Sequence, residues 1–444
     1  MFPGSNFLQS VSRRQVFHIA WPIILSNLST PLLGLVDTAV IGNLGDPALI
    51  GAIAIGGMIF SFLYWGFGFL RMGTTGLVAQ ARGARNLTET KASFYRAFLI
   101  GLLIGSLMLM LQYPIITGAL HIIGGSEYVE AEALSYFQVR IWGAPISLAH
   151  LAIMGFLLGL QDTRSLLLLQ IVLNGTNIIL DFVFVVGFGW AVMGVAAATV
   201  ISEVIAIILG LFIVTRRIRA SGTSLLIPKH VLLRTRALKR MFVINMDIMI
   251  RTLCLIFCFA WFTNQGAQSG DVILSANAIL MQFVSFSAFF LDGFALAAET
   301  LVGSAIGARD KTGLNRSIRF STELGVSTAL LLTFFFWLLG TPMIHLLTNA
   351  EAVRSVGTQY LIWAIVTPLL SVWCYLLDGI FIGATRTAEM RNAMIFSLAI
   401  FLAGWYFLHG TFGNHGLWLA FQLYFLARAA SLAFYLPRLR RMTD

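Results

Sequence analysis

The stretch PLLGLVDTAVIGNLG, residues 31–45, sets a single carboxyl group, Asp37, in an apolar run with no lysine or arginine near it. A second stretch, NGTNIILD, carries Asn174, Asn177 and Asp181 at spacings of three and four, which puts all three on one helical face. Carboxyl, amide and hydroxyl oxygens withheld from water can do two kinds of chemistry. They can share a proton, because two crowded carboxyls away from water do not both stay ionised at low cost. They can also coordinate a small hard cation such as sodium, which takes oxygen ligands. A third reading is purely structural: the groups satisfy one another and fix how helices pack.

Whether these residues can meet depends on the elements that carry them. The chain has 444 residues, 58% of them hydrophobic and 11% charged, against roughly 45–50% and about a quarter in an ordinary soluble domain. The excess recurs as separate apolar runs of roughly 20 residues, the length that crosses a bilayer as a helix. Spans are expected near 15–42, 49–80, 91–120, 128–159, 165–187 and 190–217, then near 240–266, 271–305, 314–346, 351–383, 390–409 and 413–437. The opening residues show no short apolar core followed by a small-residue cleavage site, so no removable signal peptide is expected. SRRQVFHIA reads instead as a basic lead-in to the first span.

The net charge of +10 does not read as a nucleic-acid footprint, because the basic residues fall in short loops. Arg13 and Arg14, Arg82, Arg85 and Lys91, Arg164, the loop TRRIRASGTSLLIPKHVLLRTRALKR, Arg309, Lys311 and Arg316, Arg386 and Arg391, and Arg438, Arg440 and Arg441 occupy alternate connections. The positive-inside rule then places both termini in the cytoplasm. With that orientation Asp37 lies about five residues inside the outer end of span 1, and Asp181 about six inside span 5. Tyr136 on span 4 and Thr199 on span 6 fall at a similar depth, so one hydrogen-bonded network is the economical expectation. A charged aspartate at mid-bilayer costs roughly 2.5–3.5 kcal/mol on insertion scales, which is why such groups face partners or cavities.

The two halves repeat. At an offset of 224 residues, GAIAIGGMIFSF…TTGLVAQARGAR overlays SANAILMQFVSF…AETLVGSAIGAR, His121 falls on His345, Tyr136 on Tyr360, Gly155 on Gly379 and Gly159 on Gly383. Six spans per unit is an even number, so both units share one orientation. The expected fold is an all-α polytopic membrane protein: twelve transmembrane helices in two six-helix bundles, related by a pseudo-twofold axis along the membrane normal. The domains read as an amino-terminal lobe over 1–217, a basic cytoplasmic linker over 218–239 and a carboxyl-terminal lobe over 240–444.

Other charges inside the spans are distributed differently. Asp247 and Arg251, four apart on span 7, are placed to pair; Asp292 and Glu299 share a face of span 8; Asp378 ends span 10. With Arg71 on span 2, the cluster Asp247, Arg251, Glu299 and Asp378 falls toward the cytoplasmic side, where an ion-pair cluster that breaks on inward opening is preferred to a cation site. Glu203, one turn from Thr199, is either a second protonatable group or a packed neutral acid. Pro22 and Pro31 allow span 1 to kink, either as a static bend or as a moving part. Cys254, Cys258 and Cys374 lie in apolar runs with no metal set around them, and no metal is expected. Met58, Met72, Met154, Met281 and Phe286 are candidates for a surface that accepts greasy cations, through shape tolerance and cation–π attraction, against ordinary packing.

PLLGLVDTAVIG, FLRMGTTGLVAQARGARN, HIIGGSE, GFALAAE…GARD and VWCYLLDGIFIGATRTAEMRN resemble the multidrug and toxic compound extrusion (MATE) transporters, in their DNA-damage-inducible protein F branch. The likeness covers essentially the whole chain. It implies a monomeric, multi-pass protein of the bacterial inner membrane, surrounded by lipid, that needs no cofactor. Its implied activity is export of lipophilic, often cationic compounds in exchange for protons or sodium ions. It implies that Asp37, Asn177, Asp181, Tyr136 and Thr199 form the cation site, and that protonation bends span 1 and expels substrate. Some branches carry a second sodium site with acids on spans 7 and 10; Asp378 matches the latter, but the span-7 glutamate is absent. The alternative within the same superfamily is a flippase for lipid-linked saccharides, which needs a basic cavity for pyrophosphate; Arg71, Arg140 and Arg251 are too scattered to make one. No Gly-x-Ser-x-Gly, His-Glu-x-x-His or paired-aspartate protease pattern argues for an enzyme, and nucleic acid is not an expected partner.

Overall fold

The computed structural model describes residues 11–443. Twelve long apolar helices carry the architecture, and no strand occurs among the described residues. They are α1 Arg13–Gly42, α2 Pro47–Gly83, α3 Leu87–Met110, α4 Glu127–Gly159, α5 Thr163–Gly187 and α6 Ala191–Ala220; then α7 Lys229–Gln268, α8 Asp271–Gly307, α9 Lys311–Leu347, α10 Glu351–Gly383, α11 Thr387–Phe412 and α12 Asn414–Thr443. Each starts and stops for local reasons. Asp46, Asn86, Ser126 and Asp310 cap α2, α3, α4 and α9 with side-chain oxygens, supplying acceptors to first-turn N–H groups that have none inside the helix. α2 loosens at Phe67–Gly68, after Gly66. α3 stops at Met110 and resumes as Gln112–Ile123, where Pro114 lacks the N–H that would bond back to Met110. α5 closes with a wide π turn over Phe182–Gly187.

The repeat persists in the backbone. Arg85 and Arg309, 224 residues apart, are left-handed at φ 56° and 54°; Gln161 and Thr385, again 224 apart, are left-handed at 61° and 54°. Each ends a helix by the same device, the next residue's N–H returning to a carbonyl five residues earlier: Asn86 to Ala81, Asp310 to Ala305, Asp162 to Leu157, Arg386 to Phe381. Helix crossings repeat too. In α4, Gly155 and Gly159 lie against the backbone carbonyls of Arg71 and Thr75 in α2; in α10, Gly379 and Gly383 lie against those of Ala295 and Glu299 in α8. Only a residue without Cβ lets the chains approach this far.

Two compact units emerge. The first comprises residues 25–241. The second comprises residues 11–24 together with 242–443, so the division by packing falls inside α1, between Pro22 and Pro31, and inside α7 at 241/242, just past the expected linker. The cause is local to the second unit: Ile24 and Ala20 fit against Gly293 of α8, and Arg13 pairs with Glu323 of α9 at 2.7 Å while lying over the Phe320 ring. α1 stays helical through both prolines. The linker is structured, with α6 running to Ala220, a short turn at Lys229–Leu232, and the long helical part of α7 beginning at Thr235. The first turns of α3 hold it: Lys91 donates to the Ser224 carbonyl at 2.6 Å, and Arg96 donates to the carbonyls of Val231 and Leu232 at 2.6 and 2.9 Å.

Candidate cation-binding site

The first unit brings α1, α4, α5 and α6 together around the two aspartates that stood out in the sequence. Asp37 is half-buried and Asp181 fully buried, and their carboxyl groups face each other in hydrogen-bond contact. Ionised carboxylates only accept, so such a contact requires a proton on one of them. The Oδ1 atoms of Asp37 and Asp181 are buried with no hydrogen-bond partner among the described residues.

Asn177, one turn before Asp181, links the pair to α6. Its amide lies 3.0 Å from Asp181 Oδ2 and 3.2 Å from Thr199 Oγ1. An amide offers a donor on one side and an acceptor on the other. Its nitrogen therefore suits an ionised Asp181 and its oxygen a protonated one. Thr199 is in turn fixed by donating to the Val195 carbonyl at 2.9 Å.

Tyr136 is buried beside this group, its ring pressed onto Gly56 and edge-on to Phe60 at 6.2 Å. One turn further along α4, Arg140 grips Glu203 of α6 with two hydrogen bonds, 2.6 and 3.0 Å long, and Ser147 donates to the same carboxylate at 2.6 Å. Glu203 is thus neither a spare protonatable group nor a neutral packed acid, as the sequence alone allowed. It is the counter-ion of a buried arginine. Arg140 is also near enough to act electrostatically on Asp37 and Tyr136, so the acid pair is not remote from positive charge once the chain folds.

Asn174 turns away from the aspartates. Its Nδ2 donates to Ser29 Oγ at 2.9 Å and its oxygen accepts from Gln170 at 2.9 Å. It ties α5 to α1 below the acid pair and belongs to helix packing, because a face-sharing residue seven positions away lies two turns along the helix. Pro22 and Pro31 occupy α1 on either side of the unit boundary, with Asp37 beyond both.

In the second unit the expected Asp247–Arg251 pair does not form. Asp247 is held by Arg391 at 2.6 Å and by the Thr387 hydroxyl at 2.9 Å, both at the start of α11. Arg251 turns to Asp378, 2.8 Å away, which Arg428 of α12 also binds. Asp292 of α8 shares the electrostatic surroundings of Cys374 with that trio. Glu299 is fully buried on α8. Arg71 belongs to the first unit, where its Nη1 has no hydrogen-bond partner among the described residues. Within the second unit the expected Asp247–Arg251 pair is thus replaced by two ion-pair groups, Asp247 with Arg391 and Asp378 with Arg251 and Arg428. Of the candidate substrate residues, Met58 is exposed, Met72, Met154 and Met281 are half-buried, and Phe286 packs on Phe290 and Phe336 at 5.1 and 6.3 Å.

Comparison with known proteins decides the family. The MatE family model matches residues 22–183 and 248–406, each within one half of the repeat. The chain belongs to the MatE family. It is 42% identical over 435 residues to DNA damage-inducible protein F of Escherichia coli, covering 96% of this chain and 92% of that protein. It is 24% identical to the probable multidrug resistance protein NorM of Acinetobacter baylyi, covering 81% and 80%. Among solved structures, the outward-facing conformation of a multidrug resistance MATE family transporter of the MOP superfamily matches with a TM-score of 0.88 at 18% identity, covering 99% of this chain and 98% of that one. The twelve-helix fold read from the sequence is thus that of MatE proteins.

Several residues of this MatE chain escaped the sequence reading. Arg428 sits inside an apolar run, FLARAASL, and a charge there is itself the signal. Arg391 and Thr387 read as loop residues, and nothing in their spacing pointed to Asp247. Ser29, Gln170 and Ser147 are ordinary polar residues whose role shows only when the helices meet.

Proposed function

We propose that the chain is a secondary active exporter of lipophilic and cationic compounds in the bacterial inner membrane, with both termini in the cytoplasm, driven by inward movement of protons or sodium ions. The carrying observation is the contact between Asp37 and Asp181 in the first unit. A carboxyl pair that needs a proton to close, backed by an amide that suits either charge state, is built to take up and give up that proton. With both carboxylates ionised, the same oxygens, joined by those of Asn177 and Thr199, offer a sodium ion an oxygen shell. Protonation removes a charge from α1 beyond Pro31, where a missing backbone N–H makes the helix easiest to bend; bending there would shrink the first unit's interior and release substrate outward. The multidrug resistance names carried by relatives support the substrate class. A lipid-saccharide flippase is less well supported: Arg140 is held by Glu203, and Arg251 and Arg428 both bind Asp378, so these guanidiniums are engaged with carboxylates and do not form an open basic surface for a pyrophosphate.

The test is efflux of ethidium from vesicles under proton and sodium gradients imposed separately, comparing the wild type with Asp37→Asn. Gradient-driven efflux should be lost in the variant. Efflux of undiminished rate would remove Asp37 from the coupling.

A further inference from the structure

Between Glu203 and Asp247 the chain has no aspartate or glutamate, yet residues 216–240 carry six arginines and two lysines. Arg217 pairs with Asp162 at 2.7 Å, and Arg240 donates to Gln80 at 2.9 Å. Arg216, Arg219, Lys229, Arg234, Arg236 and Lys239 are exposed and join no ion pair among the described residues. Large apolar side chains stand among these charges: Leu226 is 84% exposed and Leu233 63%. Their exposure is not looseness, because the backbone around them is tied down. Lys91 and Tyr95 of α3 donate to the carbonyls of Ser224 and Leu225 at 2.6 and 3.2 Å, and Arg96 donates to those of Val231 and Leu232. Leu225 packs inward on the apolar cluster that holds Val78 and Phe94, and its neighbour Leu226 is left facing out.

α3 also sets the depth of this segment. Its residues Leu99, Leu103, Leu107 and Met110 recur every three or four positions and are exposed, the apolar stripe that a membrane helix turns to hydrocarbon. Arg96 precedes Leu99 by three residues, about 4.5 Å along the axis at about 1.5 Å per residue. The linker it holds therefore lies about one helical turn from the start of that stripe, at the level of lipid headgroups. Exposed leucines there enter the acyl boundary while cations beside them meet phosphate. A cluster of basic residues next to a span attracts anionic lipid, and each one adds to the attraction. A water-soluble polyanion would engage the charges and leave Leu226 and Leu233 uncovered; lipid covers both.

We propose that residues 216–239 form a surface for anionic phospholipid, with Leu226 and Leu233 in the acyl boundary and Arg216, Arg219, Lys229, Arg234 and Arg236 around the headgroup phosphates. The surface goes beyond the exporter reading and uses none of the residues around Asp37 and Asp181, so either can fail without the other.

The experiment is native mass spectrometry of the full chain released from mixed micelles holding dioleoylphosphatidylglycerol and dioleoylphosphatidylcholine in equal amounts, with the retained lipid counted. The wild type should retain phosphatidylglycerol about tenfold over phosphatidylcholine. Arg234→Gln with Arg236→Gln should cut that ratio to about threefold or less, whereas Arg440→Gln with Arg441→Gln, the same charge change on exposed residues at the end of α12, should leave it unchanged. Leu226→Ser with Leu233→Ser should lower retention of both lipids and keep their ratio. Glycerol 3-phosphate, an anionic headgroup without tails, should displace little lipid at about tenfold excess. Equal retention of the two lipids by the wild type, which needs no variant to fold, would overturn the surface, as would equal losses in the two arginine pairs. Displacement of the lipid by glycerol 3-phosphate would make it a site for free phosphate, and displacement by polyuridylate would make it one for RNA; either result would overturn the proposal.

Discussion

Arg140 and Glu203 face each other across α4 and α6 as a two-pronged ion pair, with Nη2 2.6 Å from Oε1 and Nη1 3.0 Å from Oε2, both side chains buried. The guanidinium also lies 5.2 and 5.3 Å from the ring centres of Phe60 and Tyr64, so aromatic faces complete its surroundings. Removing one partner strands the other. Glu203→Ala is expected to lower stability by about 3–5 kcal/mol, while the double change Arg140→Leu with Glu203→Leu recovers much of that loss. Thermal unfolding in nanodiscs checks both, and a double variant no better than the single one would mean the stranded charge carries no penalty.

Asn177 stands between Asp181 and Thr199, at 3.0 and 3.2 Å. Asn177→Ala deletes both links without adding bulk. A hydrogen bond to a charged group contributes about 1.5–3 kcal/mol, so gradient-driven efflux should fall by about tenfold or more if the link sustains coupling. Asn174→Ala, whose contacts run to Ser29 and Gln170, should cost stability with a much smaller loss of efflux. Equal losses of efflux in the two variants would erase the distinction drawn between these asparagines.

Asp247 separates two possible partners cleanly. Arg251 is its neighbour one helical turn away in sequence, but Arg391 is its partner in space, at 2.6 Å. Double-mutant cycles on unfolding free energy should give a coupling energy of about 0.5–3 kcal/mol for Asp247 with Arg391 and a much smaller one for Asp247 with Arg251. The opposite ranking would favour the pairing expected from the i, i+4 spacing.

The contrast between these sites explains what the sequence could disclose. Span positions, the repeat and the meeting of Asp37, Asp181, Asn177 and Thr199 were legible because hydropathy and helical period act along one chain. Partner choice was not. Asp247 has an arginine at a good helical spacing and takes another, because the start of α11 brings both Arg391 and the Thr387 hydroxyl to it. Asn174 shares a face with Asp181 yet bonds Ser29, because a face extends over two turns while a hydrogen bond spans about 3 Å. Glu203 was ambiguous for the same reason: its partner Arg140 is 63 residues away in sequence. The division of α1 between the units was hidden as well, since it depends on Gly293 leaving room for Ile24.

The linker supplies a test of local order. It is rich in arginine and lysine, the residues trypsin cleaves after, yet its carbonyls are held by Lys91 and Arg96, and Arg96 is oriented by Glu89 at 2.6 Å. Arg96→Ala should free Val231 and Leu232 and speed tryptic cleavage between residues 216 and 240 several-fold, because cleavage follows the population of the open form. Unchanged cleavage would show that other contacts hold the segment.

The glycine crossings are the sharpest test of the repeat. A Cβ on Gly155 would lie 2.5 Å from the Arg71 carbonyl oxygen, and one on Gly379 would lie closer still to that of Ala295. Backbone cannot swing aside as a long side chain can, so α2 and α4, or α8 and α10, would have to separate. Gly155→Ala and Gly379→Ala should each cost about 1–3 kcal/mol, the usual penalty of an overpacked contact. Gly57, on α2, is the control, because a Cβ there would meet no atom within 4 Å. At that position the same change should be neutral or stabilise by up to about 1 kcal/mol, since alanine favours a helix over glycine. Equal effects at Gly57 and Gly379 would mean that helix propensity, and not the close crossing, explains why glycine recurs 224 residues apart.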